Sequence, residues 1–397
     1  MSASKDTKHP SERMPRAWLV GVILLGVLSV GLGLWLLISD ATEPPAPEIP
    51  QRVLPVEPSS WDDRIDVLAR HRQWDRLLEV AREIPAEHYS LMVMHDVQRA
   101  LFHSGRLLSE MFMVPQTIKR DGRLGLSSLA PHTPRAAWKR AEVLFELGLV
   151  NAAESWAFVT LEVGGPRNNC LRLLSKVYVL KRHPVMVHTC LNALVAGDAS
   201  ERAWADARLK RLEADPLLSD DEEISHLRAM MPVKDYCRGP GTIAFRDYLL
   251  QLLDTNPRNR MALEYLIAFD LWSRHPEFVV ADLVWWKHAG RTDMPRYCQE
   301  ALLVFLSDPS YRKPKNRPLL AFARSCAPDI DETTHMLFRE YATSLKKFID
   351  TPADERASLQ ATMEKAYGTD YLFYDTFGYS ASGKDVQPVD GVTGASK

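Results

Sequence analysis

No Cys-x-x-Cys and no Cys-x-x-Cys-His occurs in this chain, whose five cysteines, Cys170, Cys190, Cys237, Cys298 and Cys326, stand far apart. That spacing argues against covalent haem and cysteine-rich metal centres. Buried free thiols are the expected state, with a Cys170–Cys190 disulfide the alternative in an oxidising compartment. Charge of one sign is also missing: 49 basic and 51 acidic residues are interspersed along the chain, so no basic face announces nucleic acid. There is no H-E-x-x-H and no G-x-S-x-G, which removes the local signatures of metalloproteases and serine hydrolases. Residues 378–384 spell G-x-x-x-x-G-K, but Asp385 stands where a phosphate loop needs Ser or Thr, and no strand pattern precedes it.

One long uncharged apolar run is present, at 17–38. Its 22 residues would span roughly 33 Å at about 1.5 Å per residue, enough for a bilayer core of about 30 Å. Lys5, Lys8, Arg13 and Arg16 precede it, and no basic residue follows until Arg52. The expectation is a single transmembrane helix in the cytoplasmic membrane, with residues 1–16 in the cytoplasm and the body outside. A cleaved signal peptide is the alternative, but the run exceeds the usual h-region and no clean cleavage site follows it. Residues 39–60 carry six prolines and read as an extended, semi-rigid linker.

From 61 to 378 apolar residues recur at helical spacing, and strand alternation is scarce. The periodicity predicts an all-α body with helices at 61–71, 74–83, 88–104, 135–147, 151–163, 168–180, 185–195, 201–213, 220–231, 241–255 and 260–273. Others are predicted at 276–287, 295–307, 316–326, 332–349, 352–367 and 370–377. Short connections favour antiparallel pairs. Asp220 to Glu223 form an acidic helix start suited to the helix dipole, a cation site being the alternative. Trp285 and Trp286 read as packing before groove lining. The aromatics between Tyr367 and Tyr379 read as a docked final helix, with a stacking surface for an isoalloxazine ring as the sharper alternative.

Gly148, Ala153 and Pro166 sit close to the spacings of a tetratricopeptide repeat, and Asn256-Pro257 followed by Ala262 and Tyr265 resembles a junction between two such repeats. Pro166 and Pro257 do not keep that family's period, so the resemblance implies a degenerate helical solenoid rather than a regular array. Residues 95–378 also resemble the extracytoplasmic part of a family of bacterial membrane proteins of unknown function. Leu147, Gly148, Asn151, Ala153, Asn256, Pro257, Asn259, Met261, Glu264, Tyr265, Gln299, Glu300 and Ala301 carry that likeness.

The chain closes on a polar tail, 379–397, expected to be flexible. Within it Asp390-Gly391-Val392-Thr393-Gly394-Ala395-Ser396 resembles the D-[GA]-x-[ST]-G-A-[ST] target of bacterial FMN transferases. All six specified positions match, which average residue usage would give in a chain of this length roughly once in several thousand. The resemblance implies FMN joined through its phosphate to the Ser396 hydroxyl. Asp390 would supply a charge for recognition, while Gly391, Thr393, Gly394 and Ala395 complete the motif, their small side chains letting the backbone enter another enzyme.

The reading that joins these parts is a membrane-anchored electron-transfer protein with covalent FMN and a helical-repeat body outside the cytoplasm. Its implied partners are an FMN transferase, membrane or envelope redox proteins and a protein docked on the repeat surface. No acid, base and nucleophile constellation marks it as an enzyme with its own substrate pocket. The alternative is a non-redox scaffold for an envelope complex.

Overall fold

The computed structural model describes residues 60–115, 133–165, 167–232 and 245–378. The expected membrane helix at 17–38, nearly all of the linker, Cys237 and the whole tail from 379 to 397 lie outside those residues. Among the described residues there are eighteen α-helices and no strand, so this body is all-α. None of these helices is long and apolar enough to cross a membrane.

The first group is α1 (Trp61–Arg70), α2 (Trp74–Glu83), α3 (Leu91–His103) and the single turn α4 (Leu107–Glu110). A second comprises α5 (Pro134–Leu147), α6 (Val150–Glu162), α7 (Arg167–Leu180), α8 (Pro184–Val195), α9 (Ala199–Ala214) and α10 (Glu222–Met230). A third comprises α11 (Phe245–Thr255), α12 (Arg260–Trp272), α13 (Pro276–His288) and α14 (Arg296–Ser307). The last are α15 (Arg317–Cys326), α16 (Glu332–Asp350), α17 (Arg356–Tyr367) and α18 (Tyr371–Phe377). Successive helices pack against one another from α5 to α9 and again from α11 to α14, a solenoid-like chaining.

One turn type makes most of these hairpins. After α1, α3, α5, α7 and α12 the chain turns through a left-handed residue: Arg72, Gly105, Gly148, Arg182 and Arg274. In each, that residue's N–H reaches back three residues, and the next N–H reaches back five, as with Arg182 to Val179 (3.1 Å) and His183 to Tyr178 (2.9 Å). This is the Schellman arrangement, which satisfies carbonyls a helix end leaves open. Arg72 to Gly105 is a step of 33 residues, and Gly148 to Arg182 one of 34. Arg-His-Pro occurs at both 182–184 and 274–276, the proline opening the next helix where its missing N–H costs nothing.

Arginine in the left-handed region is strained where glycine is not. Arg182→Gly should therefore stabilise the protein by about 0.5–1 kcal/mol, read as a higher urea midpoint. Arg274→Gly should gain less, because the Arg274 side chain lies against Gly378 and faces Asp375.

Several residues that carried the likeness to the membrane-protein family join separate helices. Asn259 caps α12 by accepting from Ala262 N–H (3.0 Å), while its Nδ2 donates to the Leu147 carbonyl at the end of α5 (3.2 Å). Asn256 donates to the Ala229 carbonyl at 2.9 Å. A Cβ on Gly148 would sit 3.2 Å from Met230, so glycine there serves both the turn and a close approach. Gln299 donates to Met294 O (2.8 Å) and Asp331 Oδ2 (2.9 Å) and accepts from Asp331 N–H (2.9 Å).

Four clusters make up the interior of the described residues. Residues of α5 to α10 share one; α1 to α4 share another with the end of α5, α11 to α14 and α18; two smaller ones join α13 to α15 and α16 to α18. Tyr371, Phe373 and Tyr374 are buried, and Tyr374 Oη donates to the Trp272 carbonyl at 2.9 Å. The final helix is thus docked, and these three rings offer no open stacking face. Trp286 is buried with its indole N–H on the Asp293 carbonyl, and Trp285 packs against the same core, so neither lines a groove.

Cys170, Cys190, Cys298 and Cys326 are buried free thiols, the expected state; burial pushes Cys170 up to about 12 and Cys190 up to about 11. Two helix starts are corrected. The helix expected from 352 begins only at Arg356, after a turn. That expected from 88 begins at Leu91, where Ser90 caps it. At α10 the acidic start is capping and ion pairing: Asp221 accepts from Ile224 N–H (3.0 Å) and meets Arg208 and Arg211, while Asp220 meets Arg211 (2.9 Å).

Candidate functional site

Residues 390–396, including Ser396, Asp390, Gly391, Thr393, Gly394 and Ala395, lie outside the described residues. Within the body, side chains converge on a cleft of about 260 Å³ where α1, α3, α5, α7 and α10 meet. Helical spacing explains its two main walls. Trp138, Glu142, Phe145 and Glu146 fall on one face of α5, and Asn169, Arg172, Leu173 and Lys176 on one face of α7. Arg70 and Arg72 come from the end of α1 and its turn, Arg99 from α3 and Glu223 from α10.

The floor is a buried charge network. Arg99, 2% exposed, makes a two-pronged contact with Glu146 (2.9 and 2.7 Å) and reaches Glu142 at 3.2 Å. Planar guanidinium on planar carboxylate fixes both groups. Its far side faces Trp74, which stacks on His103 with ring centroids 4.6 Å apart. Burial alone would raise the Glu146 carboxyl, but Arg99 and His103 hold it well below the usual carboxylate range. Glu142 is moved the other way: burial raises it, Arg99 only partly offsets this, and the Glu146 charge adds to the rise.

At the three-helix junction of α1, α3 and α5, Lys139 bridges Asp66 (2.6 Å) and Asp96, and Asp96 also holds His95 Nδ1 (3.0 Å). Burial opposes charge on Lys139, yet the two carboxylates raise its pKa; burial likewise opposes charge on Asp96, yet Lys139 and His95 lower it. His95 is lowered by burial and is neutral at pH 7.

The rim differs from the floor in having donors left over. Arg72 lies 3.8 Å from Glu223 and 4.0 Å from Glu146, beyond hydrogen-bonding distance, and its side chain is 60% exposed. Arg172 spends its Nε on Glu201 (2.8 Å) and rests over Trp204, while Lys176 donates to Glu223 (2.6 Å). Trp138 is 7% exposed, and its buried indole N–H finds no acceptor. A second cleft, of about 530 Å³, lies beside Arg296, Gln299 and Asp331. Its Arg296 is committed to Glu300 and Asp370, and its Gln299 to the clamp described above.

None of these cleft residues stood out in the sequence. Arg172 and Lys176 at i and i+4, facing Glu142 and Glu146 at the same spacing, were the available signal, but charges at that interval usually mark a solvated helix face.

The described body is therefore an all-helical, solenoid-like protein with a charged cleft at the junction of its first two helix groups. The chain belongs to the family of unknown function DUF6057, which it matches over residues 17–378. Neither the curated proteins nor the solved structures contain a match.

Proposed function

We propose that this chain is a membrane-anchored, extracytoplasmic electron-transfer protein that carries FMN covalently on Ser396, with its helical body docking redox partners. The observation that carries this reading is the complete six-position motif ending at Ser396. Attachment requires an activated flavin. Ser396 Oγ forms a P–O bond to the flavin-side phosphorus of a flavin dinucleotide, the pyrophosphate bond breaks, the nucleoside monophosphate leaves, and the hydroxyl proton passes to a base of the transferase. Once bound, FMN supplies reversible electron transfer at its ring, and the protein sets position and access. The anchor is the run at 17–38, whose flanking charges favour a cytoplasmic N-terminus. Two steps between Schellman turns, of 33 and 34 residues, match the tetratricopeptide period of about 34, while the step between them, Gly105 to Gly148, is 43 residues and makes the likeness a degenerate one.

The test is intact mass and in-gel flavin fluorescence of the denatured protein after co-expression with an FMN transferase. One added FMN is expected in the wild type, with complete loss of mass gain and fluorescence in Ser396→Ala. A wild-type chain left unmodified, under conditions that label an established target, would sink the reading and leave the non-redox scaffold.

A further inference from the structure

We infer that the cleft between α1, α5 and α7 is the seat in which the flavin ring of the tail rests; this builds on the assignment of FMN to Ser396. The chemistry of the cleft fits such a ring. The pyrimidine edge of an isoalloxazine alternates acceptor, N–H donor and acceptor, and its neighbouring ring nitrogens are further acceptors. The rim presents unspent donors, the Arg72 guanidinium and the terminal nitrogens of Arg172, beside the carboxylates of Glu223 and Glu142, and the orphaned indole N–H of Trp138 is buried in the wall. Phe145, Leu173 and the Trp138 ring supply apolar wall. At about 260 Å³ the space is just below the roughly 300 Å³ at which drug-sized pockets begin, so it suits a ring system and leaves the ribityl phosphate outside. That division is the one a phosphate ester on the tail imposes.

The tether has the right length. Tyr374, on the last helix, is bonded to Trp272 at the end of α12. Asn259, at the start of α12, is bonded to Leu147, the residue after Glu146 of the cleft. Helix α12 has 13 residues and so is about 20 Å long. As a chain without contacts, residues 379–396 would span at most about 60 Å, about three times the length of α12, which leaves length for a path around the body.

The test uses the full chain loaded by co-expression, with Arg72→Glu/Lys176→Glu and Trp138→Phe as separate variants, each checked by circular dichroism. Intact mass reports attachment; flavin fluorescence before and after unfolding in guanidinium reports the seat. In the wild type, seating beside Trp138 should quench the flavin several-fold, with the emission recovered on unfolding. Arg72→Glu/Lys176→Glu should keep its one added FMN but lose most of the quenching, and Trp138→Phe should lose part of it. Removing rim cations should also make the flavin midpoint potential more negative, because positive charge favours the anionic reduced ring. Equal quenching in the wild type and the charge-reversed variant, or none in the wild type, overturns the seat while leaving Ser396 as the attachment point. Should mass show no FMN on the wild type, free riboflavin titrated into the same proteins decides: weaker binding by the charge-reversed variant supports the cleft, and equal or absent binding overturns it.

Discussion

Lys139→Met is expected to destabilise the body by about 3–5 kcal/mol, the usual cost of removing one partner from a buried ion cluster. Lys139 is 2% exposed, and its ammonium is the shared counter-charge of Asp66 and Asp96, themselves buried on α1 and α3. Without it, Asp96 would keep only His95, and would either remain a buried charge or gain a proton, on itself or on His95, and each costs free energy. Urea unfolding followed by circular dichroism measures the change. A loss under about 1 kcal/mol would show that water reaches the cluster and that the three-helix junction is looser than its geometry. The compensated variant Asp66→Asn/Asp96→Asn/Lys139→Met should recover much of the loss, because the expensive species is the unpaired charge.

Stability should fall as pH rises from 7 to 8, and Glu300→Gln should flatten that slope. Burial, and then the charge of Asp370, push Glu300 up to about 8, and Arg296 offsets this only in part because it also serves Asp370. An unfolded Glu has lost its proton by about pH 5. Between its unfolded and folded values the native state therefore binds the extra proton, and stability declines with pH by at most about 1.4 kcal/mol per pH unit for one group. Burial and the neighbouring Asp282 carboxylate raise Asp270 to about 9, with the same sign over the same window. His95 acts oppositely: its folded value is lowered, so the unfolded chain binds the extra proton and stability rises with pH, but only up to about 6.5. Carboxylates held low by their partners, such as Asp96 and Glu146, matter only in acid. Above pH 7 the slope thus reports the raised carboxyls, with the buried thiols Cys170 and Cys190 adding the same sign as pH nears 8. Thermal midpoints at pH 7 and 8 that coincide in the wild type would refute the assignment.

The helical character of the body could be read from apolar residues recurring every three or four positions, and most helix ends fell within two residues of expectation. What escaped is instructive. Helix α4 is four residues long, too short to show a period, and it is held by packing against α12 and α14. The hairpin turns did not show in the prolines; many are made by left-handed residues, three of them arginines in place of the glycine such turns favour. Asn259 stood out only through the likeness to the membrane-protein family; its bond to Leu147 spans 112 residues and no local pattern announces it. The cleft escaped for the same reason, since α5 and α7 display their charges on one face but only the fold decides that these faces meet. The tail motif is a local pattern of seven residues and lies outside the described body.

The sharing of one core between the earliest helices and the latest has a consequence for how the chain matures. Phe112 packs against Tyr297, Tyr371 and Tyr374. At roughly 5–20 residues per second of synthesis, tens of seconds separate the emergence of α4 from that of α18. The α5 to α10 core involves only residues 138–227 and is available long before then. Helices α1 to α4, although made first, wait with apolar faces uncovered until the end of the body arrives. A pause or truncation late in the chain would leave that shared core incomplete and its N-terminal hairpins the segment most exposed to aggregation and proteolysis.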